Sequence, residues 1–97
     1  MRDLPLGRNE VLAQASRLRR DGYRLMTAFA VEGEPKEIAA LFRKGDDIVR
    51  MTYIPGGKAV AMWKSVPAAM PFERLMQEMS GIRFEDGLRD PIVYRRI

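Results

Sequence analysis

Apolar side chains recur with the period of an α-helix near the start of the chain. Over residues 9–21 they fall at spacings that define one face of a helix. Asn9 is a favourable N-cap for this segment, and Gly22 suits the left-handed turn that stops a helix. The pattern therefore predicts a first helix over residues 9–21. The residues that share its apolar face are Val11, Leu12, Ala15 and Leu18.

Two later segments have the composition of β-strands. Residues 23–32 are almost continuously apolar, which is typical of a strand covered on at least one face. Residues 48–54 are rich in β-branched and aromatic side chains, which favour a strand. Residues 59–63 are compatible with a further short strand. Glycine and proline mark turns between these segments, at residues 33–35 and 55–58.

Residues 36–44 fit two structures. Pro35 just before the segment, Glu37 early in it and Gly45 after it would suit a helix. The alternation of apolar residues at every second position would instead suit a strand that forms a hairpin with residues 48–54. The local pattern leaves both structures open.

A second helix is predicted over residues 72–79, between Pro71 and Gly81. The period predicts an inward apolar stripe and an outward polar face, and residues 82–84 are expected to be extended. The predicted inward residues are Phe72, Leu75, Met76 and Met79. The residues predicted to face solvent or a partner are Glu73, Arg74, Gln77 and Glu78.

The order of these elements predicts an α+β fold with two layers. A helix, three or four strands, a second helix and a tail would place two helices on one face of a small antiparallel or mixed sheet. The 97 residues are of a length for one domain, so we expect residues 1–97 to form a single unit.

Candidate chemistry is scarce. The chain has no cysteine and no histidine, which excludes disulfides, thiolate nucleophiles, Cys/His zinc sites and histidine-based acid–base catalysis. Two acidic pairs and one Gly-Gly-Lys run lie in predicted turns, where such residues usually form the turn itself. We therefore expect no catalytic, metal or cofactor site. The turn residues concerned are Asp46-Asp47, Glu85-Asp86 and Gly56-Gly57-Lys58.

Large apolar residues in the second half of the chain could serve either a core or a partner surface, because methionine and aromatic residues are common in both. The pattern favours the core for Trp63, Met76 and Met79. It leaves both roles open for the remaining ones, which are Met62, Met70 and Phe84.

Hydropathy and net charge limit the environments and partners that suit this chain. No apolar run approaches the ~20 residues that cross a bilayer, so we expect a soluble protein, or one held at a membrane only through partners. The net charge of +4 and the pI of about 9.9 are compatible with a nucleic-acid surface, an acidic protein partner or a solvated basic face. A small basic nucleic-acid-binding module is therefore the alternative function.

The C-terminal third resembles a known family. The 30 kDa subunit of NADH–quinone oxidoreductase (respiratory complex I) carries a run Glu-Arg-Glu-x-x-Asp, two apolar residues, Gly, an apolar residue, x and Phe, followed by His-Pro and then Arg-Arg-Ile/Leu. Pro67-Ala68-Ala69 is similar to the family's Pro-Ala-Ala before this run. More loosely, residues 22–25 resemble its first strand. The residues of matching type are Glu73, Arg74, Gly81, Ile82, Phe84, Arg95, Arg96 and Ile97.

The differences from that family indicate a subtype. Leu75, Glu78 and Ser80 stand where the family has Glu, Asp and an apolar residue, and no His-Pro step is present. The chain therefore resembles a compact, divergent member of the kind found in membrane-bound nickel–iron hydrogenases.

The resemblance implies a cofactor-free, non-catalytic assembly subunit. It would dock on the large subunit of the complex, which bears the nickel–iron or quinone site, in a cytoplasmic arm peripheral to the membrane. No nucleic-acid partner would be involved. The resemblance also implies a strand at residues 36–44, and we adopt that expectation. The expected interface residues are Glu73, Arg74, Gly81, Ile82, Phe84, Arg95 and Arg96.

Overall fold

The computed structural model describes residues 1–85 and contains a four-stranded sheet with helices packed on one face. The predicted two-layer α+β fold is confirmed. The chain begins with a strand rather than a helix, however. The elements are β1 (Arg2–Pro5), α1 (Val11–Arg20), β2 (Arg24–Val31), β3 (Glu37–Lys44), β4 (Asp47–Tyr53) and α2 (Met70–Ser80).

The sheet is mixed, with strand order β1-β4-β3-β2. Strands β2, β3 and β4 form an antiparallel meander, whereas β1 pairs parallel to β4, with Arg2 beside Val49. The sequence pattern does not reveal β1, because this strand is short and ends in Pro5, and only Leu4 on it is partly buried. A proline is compatible with a strand at the edge of a sheet, where no further strand needs its missing N–H.

Residues 36–44 form a strand, as the resemblance implied. In β3, Ile38, Ala40 and Phe42 point into the core and pair across to alternate residues of β4. This burial of one face on every second residue favours the strand over the helix. Gly45, in the turn to β4, has φ +60°, which glycine adopts without steric cost.

Helix α1 ends as predicted but starts differently. The N-cap expected at Asn9 is wrong, because a 3-10 turn over Arg8–Glu10 precedes the helix. There the Glu10 carboxylate accepts a hydrogen bond from the backbone N–H of Gly7 at 2.7 Å. At the C-terminal end the Gly22 and Tyr23 amides donate to carbonyls in the last turn of α1, which is a Schellman stop.

The core lies between the helices and the inner face of the sheet. Helix α1 contributes three of the four apolar residues predicted for its face, whereas Leu12 is exposed. No helix in the described residues is long and apolar enough to cross a membrane. The buried residues of the helices and the meander are Val11, Ala15, Leu18, Ala28, Ile38, Ala40, Phe42, Val49, Met51, Tyr53 and Met76.

Residues 59–63 do not form the additional strand considered from the sequence. Ala59 makes a single parallel bridge to Phe84, and a 3-10 turn follows at Met62–Lys64. A second 3-10 turn, Pro67–Ala69, leads into α2, which begins two residues before the predicted start. The predicted stop at Gly81 is confirmed, since this residue is the left-handed C-cap with φ +68°.

Candidate docking surface on helix α2

Helix α2 is turned about its axis relative to the predicted orientation. Met76 is buried and Phe72 packs partly against the core, as expected. Leu75 and Met79, which were expected to face inward, are 52% and 76% exposed. Glu73, which was expected to face outward, is 1% exposed. The helix therefore buries a carboxylate and presents two apolar side chains to solvent.

The buried carboxylate of Glu73 holds the segment that precedes the helix. Its Oε2 accepts a hydrogen bond from the Met62 N–H at 2.9 Å, and its Oε1 accepts one from the Trp63 N–H at 3.3 Å. These amides begin a 3-10 turn and have no strand partner, so without Glu73 they would be left unpaired. A neighbouring amide, that of Val60, donates to the hydroxyl of Tyr53 at 3.2 Å.

This contact explains the orientation of α2. Positions 73 and 76 lie three residues apart on one helical face, and positions 75 and 79 lie four apart on another. Once Glu73 reaches inward to the two amides, Met76 is buried beside it and Leu75 and Met79 must face outward. Leu75 and Met79 form what we call the outer stripe of α2.

Burial raises the pKa of Glu73 to about 7, although the two N–H donors favour the charged form and oppose the rise. Burial also raises the pKa of Tyr53 well above its ordinary value. Both groups pack beneath residues 60–63 and act there as hydrogen-bond acceptors for the backbone.

Ile82 and Phe84 belong to the protein's own core, so their expected contact with a partner is corrected. They are 8% and 9% exposed. The Ala59 N–H donates to the Arg83 carbonyl at 2.7 Å, and the Glu85 N–H donates to the Ala59 carbonyl at 2.9 Å. These bonds bring the chain after α2 back against residue 59, with alternate side chains directed inward.

The other expected interface residues differ in where they lie. Gly81 is exposed at the C-terminal end, and Arg74 is half-buried on the helix. Arg95 and Arg96 lie outside the described residues. Glu73 is enclosed by its own domain, so its side chain does not reach the surface. Glu73, Ile82 and Phe84 are thus all buried within the domain rather than at its surface.

A groove of about 310 Å³ begins where α2 ends. It lies between Ser80 and Gly81, the turn at Lys36, and the end of β4 at Ile54, which is exposed. The Lys36 ammonium donates a hydrogen bond to the Ser80 carbonyl at 3.2 Å, so a cation stabilises the negative, C-terminal end of the helix dipole. The groove is therefore bordered by the C-terminal end of α2 and by the exposed apolar side chain of Ile54.

Other candidates from the sequence have structural roles. Met62 is buried, Met70 is half-buried, and Trp63 packs partly against the core. Asp47 accepts a hydrogen bond from the Tyr23 hydroxyl and another from Arg2 at 2.9 Å, and these two bonds lower its pKa. Within residues 1–85, no cluster of three or more acidic side chains is placed to hold a metal ion.

The outer stripe could not be found from helical period alone. A stripe through positions 72, 75, 76 and 79 and one through 69, 72, 73 and 76 both fit an α-helix. The amides of residues 62 and 63 need an acceptor, and this need selects the second stripe. It arises from a tertiary contact with a segment about ten residues earlier, which helical period does not report.

The fold and the surface define the class of this protein, which is an α+β domain with an exposed apolar stripe on one helix. No protein-family model matches the chain, and no curated protein matches it at a significant level.

Proposed function

We propose that this chain is a non-catalytic assembly subunit of a multisubunit, membrane-associated oxidoreductase, of the energy-converting hydrogenase or NADH–quinone oxidoreductase type. It docks on the catalytic large subunit of the peripheral arm, on the cytoplasmic side of the membrane. The sequence resemblance supplies the class of complex. The observation that carries the docking role is the outer stripe of α2, with Leu75 and Met79 exposed.

Exposed leucine and methionine on one helical face are suited to a partner's apolar groove. Moving apolar surface out of water contributes roughly 25 cal/mol per Å², and methionine adapts to irregular surfaces. Helices commonly dock through apolar anchors spaced by four residues, as positions 75 and 79 are. The contact residues that support the proposal are thus Leu75 and Met79, with Arg74 and Gly81 beside them.

Three of the residues in the resembling run act indirectly in this proposal. Glu73 fixes the rotation of α2, while Ile82 and Phe84 anchor the chain that follows it. Together they keep the outer stripe pointed at the partner. Arg95 and Arg96 remain proposed contacts with acidic groups of the large subunit.

The test is recovery of the partner from native membranes. A tagged chain at native expression is compared with the Leu75→Glu/Met79→Glu double variant, and with Leu12→Glu as a control for an exposed leucine on the other helix. The wild type and the control should recover a hydrogenase-like or dehydrogenase-like large subunit, identified by mass spectrometry. The double variant should recover at least about tenfold less, as expected for loss of central apolar anchors.

A measurement of the variant's stability distinguishes a loss of docking from a loss of folding in this experiment. Both substituted positions are exposed, so the free energy of unfolding of the double variant should lie within about 1 kcal/mol of the wild-type value. If the wild type recovers no such large subunit, or the folded double variant recovers as much as the wild type, the proposal fails.

A further inference from the structure

The face of the sheet opposite the helices carries three arginines among apolar side chains. Val49, Met51 and Tyr53 of β4 point into the core, so the alternate residues Ile48, Arg50 and Thr52 point to the other side. We call this side the open face. Its other members follow from the strand register. They are Thr27, Phe29, Val31, the buried Ala39 and Leu41, with Arg24 and Arg43 toward one end and the acidic residues Asp3 on β1 and Glu37 on β3.

Arginines collect at that end of the open face. Arg24 and Arg43 lie directly opposite each other on β2 and β3, and Arg50 is the diagonal neighbour of Arg43 on β4. Like charges placed directly across strands repel each other, so this arrangement favours an anion that bridges them. None of the three side chains takes part in an ion pair within residues 1–85.

The Nε–H group of Arg50 lacks a hydrogen-bond acceptor. Its Nε atom is buried and has no hydrogen-bond partner in the described part of the chain. Asp3 lies opposite Arg50 on β1, yet the two side chains form no ion pair. A buried donor without a partner is costly, and an arriving carboxylate would remove that cost by accepting two parallel hydrogen bonds from the guanidinium.

We propose that the open face, centred on Arg50 and bordered by Arg24 and Arg43, binds an acidic segment of a partner protein. A carboxylate of that segment accepts the Arg50 Nε–H, after the partly exposed guanidinium turns its Nε edge outward. Apolar side chains next to the carboxylate pack on Leu41, Ile48 and Phe29. The proposal does not depend on the oxidoreductase assignment, because it uses a different face of the domain from the outer stripe.

A protein segment fits this face better than a nucleic acid. Surfaces that bind single strands combine basic residues with a series of aromatic side chains on which successive bases stack. The open face offers one aromatic side chain, Phe29, among aliphatic neighbours. The paired guanidinium groups and the aliphatic surface are complementary to alternating acidic and apolar residues.

The test uses a labelled peptide of roughly ten residues with alternating glutamate and leucine, a length that spans one strand. Binding to the full chain is followed by fluorescence anisotropy and by amide shifts in NMR spectra at about 0.15 M salt. A peptide in which lysine replaces glutamate is the charge control. A single-stranded oligonucleotide is the competing probe. We expect the acidic peptide alone to bind, and its shifts to map to β2, β3 and β4.

Substitutions at Arg50 distinguish the Nε contact from general attraction. Arg50→Lys keeps the charge but removes Nε, and should weaken binding about tenfold, as for loss of one hydrogen bond to a charged group. Arg20→Glu reverses an exposed charge on α1, which packs on the opposite face of the sheet, and should change the affinity by less than about threefold.

Three outcomes overturn the proposal. They are no binding of the acidic peptide at about 1 mM, equal binding by Arg50→Lys and the wild type, and tighter binding of the oligonucleotide to the same amides.

Discussion

Glu73 is the side chain whose position most changes the interpretation of the sequence. A carboxylate is seldom fully buried without a charged partner, and here it is retained because two backbone donors point at it. Its identity could be read from the sequence, but its direction could not, because Glu78 on the same helix has the same chemistry and remains exposed.

The raised pKa of Glu73 predicts a stability that falls as pH rises. The unfolded chain binds this proton with a pKa of 4.5, and the folded chain with a pKa of about 7. Between these values the unfolded state releases the proton and the folded state keeps it, so alkaline solution favours unfolding. The stabilisation is full below about pH 4.5 and lost above pH 7, a difference of roughly 3 kcal/mol.

Urea unfolding at pH 5 and pH 8 checks this prediction. These conditions avoid the titration of Asp47, whose ordinary pKa of 3.8 is lowered further in the fold. The wild type should be less stable at pH 8, and Glu73→Gln should lose most of that difference. Glu78→Gln is the matched control and should behave as the wild type. An unchanged pH dependence in Glu73→Gln would assign the effect to another group.

The sequence pattern predicts that helix α2 exists and where it ends, but not how it is rotated about its axis. Its existence and its glycine stop follow from local signals, namely apolar periodicity after proline and a C-terminal glycine. Its rotation does not follow, since that depends on amides about ten residues earlier in the chain. Strands β2 and β4 were predicted from their apolar and β-branched composition, whereas the local pattern of β3 left helix and strand both open. The edge strand β1 buries too little to leave such a pattern.

Gly81 should be sensitive to substitution for conformational reasons alone. Its φ of +68° lies in the left-handed region, and a Cβ placed there would meet nothing within 4 Å. Gly81→Ala should therefore destabilise the domain by about 1 kcal/mol through backbone strain rather than collision. Gly57→Ala is the control, because its surroundings are equally open and its φ lies outside the left-handed region.

Chemical denaturation of the two alanine variants separates these effects. The unfolding midpoint of the Gly81 variant should shift to a lower denaturant concentration. The free energy of unfolding of the Gly57 variant should remain within about 0.5 kcal/mol of the wild-type value. Equal stability of both variants would mean that the cap adopts another conformation at no cost.

Across the domain, the fold class was predictable and the surface was not. Binary patterning sets the layer architecture, because each strand and helix must bury its apolar face. Which apolar residues remain outside depends on how the last segments are anchored. Ile82 and Phe84 illustrate this, since they follow the helix stop yet complete the core.

Truncation of these anchors should destabilise the domain itself. Ile82→Ala and Phe84→Ala should each lower the free energy of unfolding by about 3 kcal/mol, since both remove buried apolar volume. Leu75→Ala, an exposed position on α2, should change it by less than about 1 kcal/mol. Urea titrations of the three variants provide the measurement. Wild-type stability of Phe84→Ala would return Phe84 to the group of partner contacts.

The parallel pairing of β1 with β4 has a consequence for folding order. The meander joins neighbouring strands through short turns, whereas the β1 pairing must close a loop from Arg2 to Val49. Closing the longer loop has the greater entropic cost, so contacts of long sequence separation form after local ones. We expect the meander to assemble first and β1 to join an existing edge. Under native conditions β1 would then open before the other strands, and transient release of this strand would expose the edge of β4 to another chain.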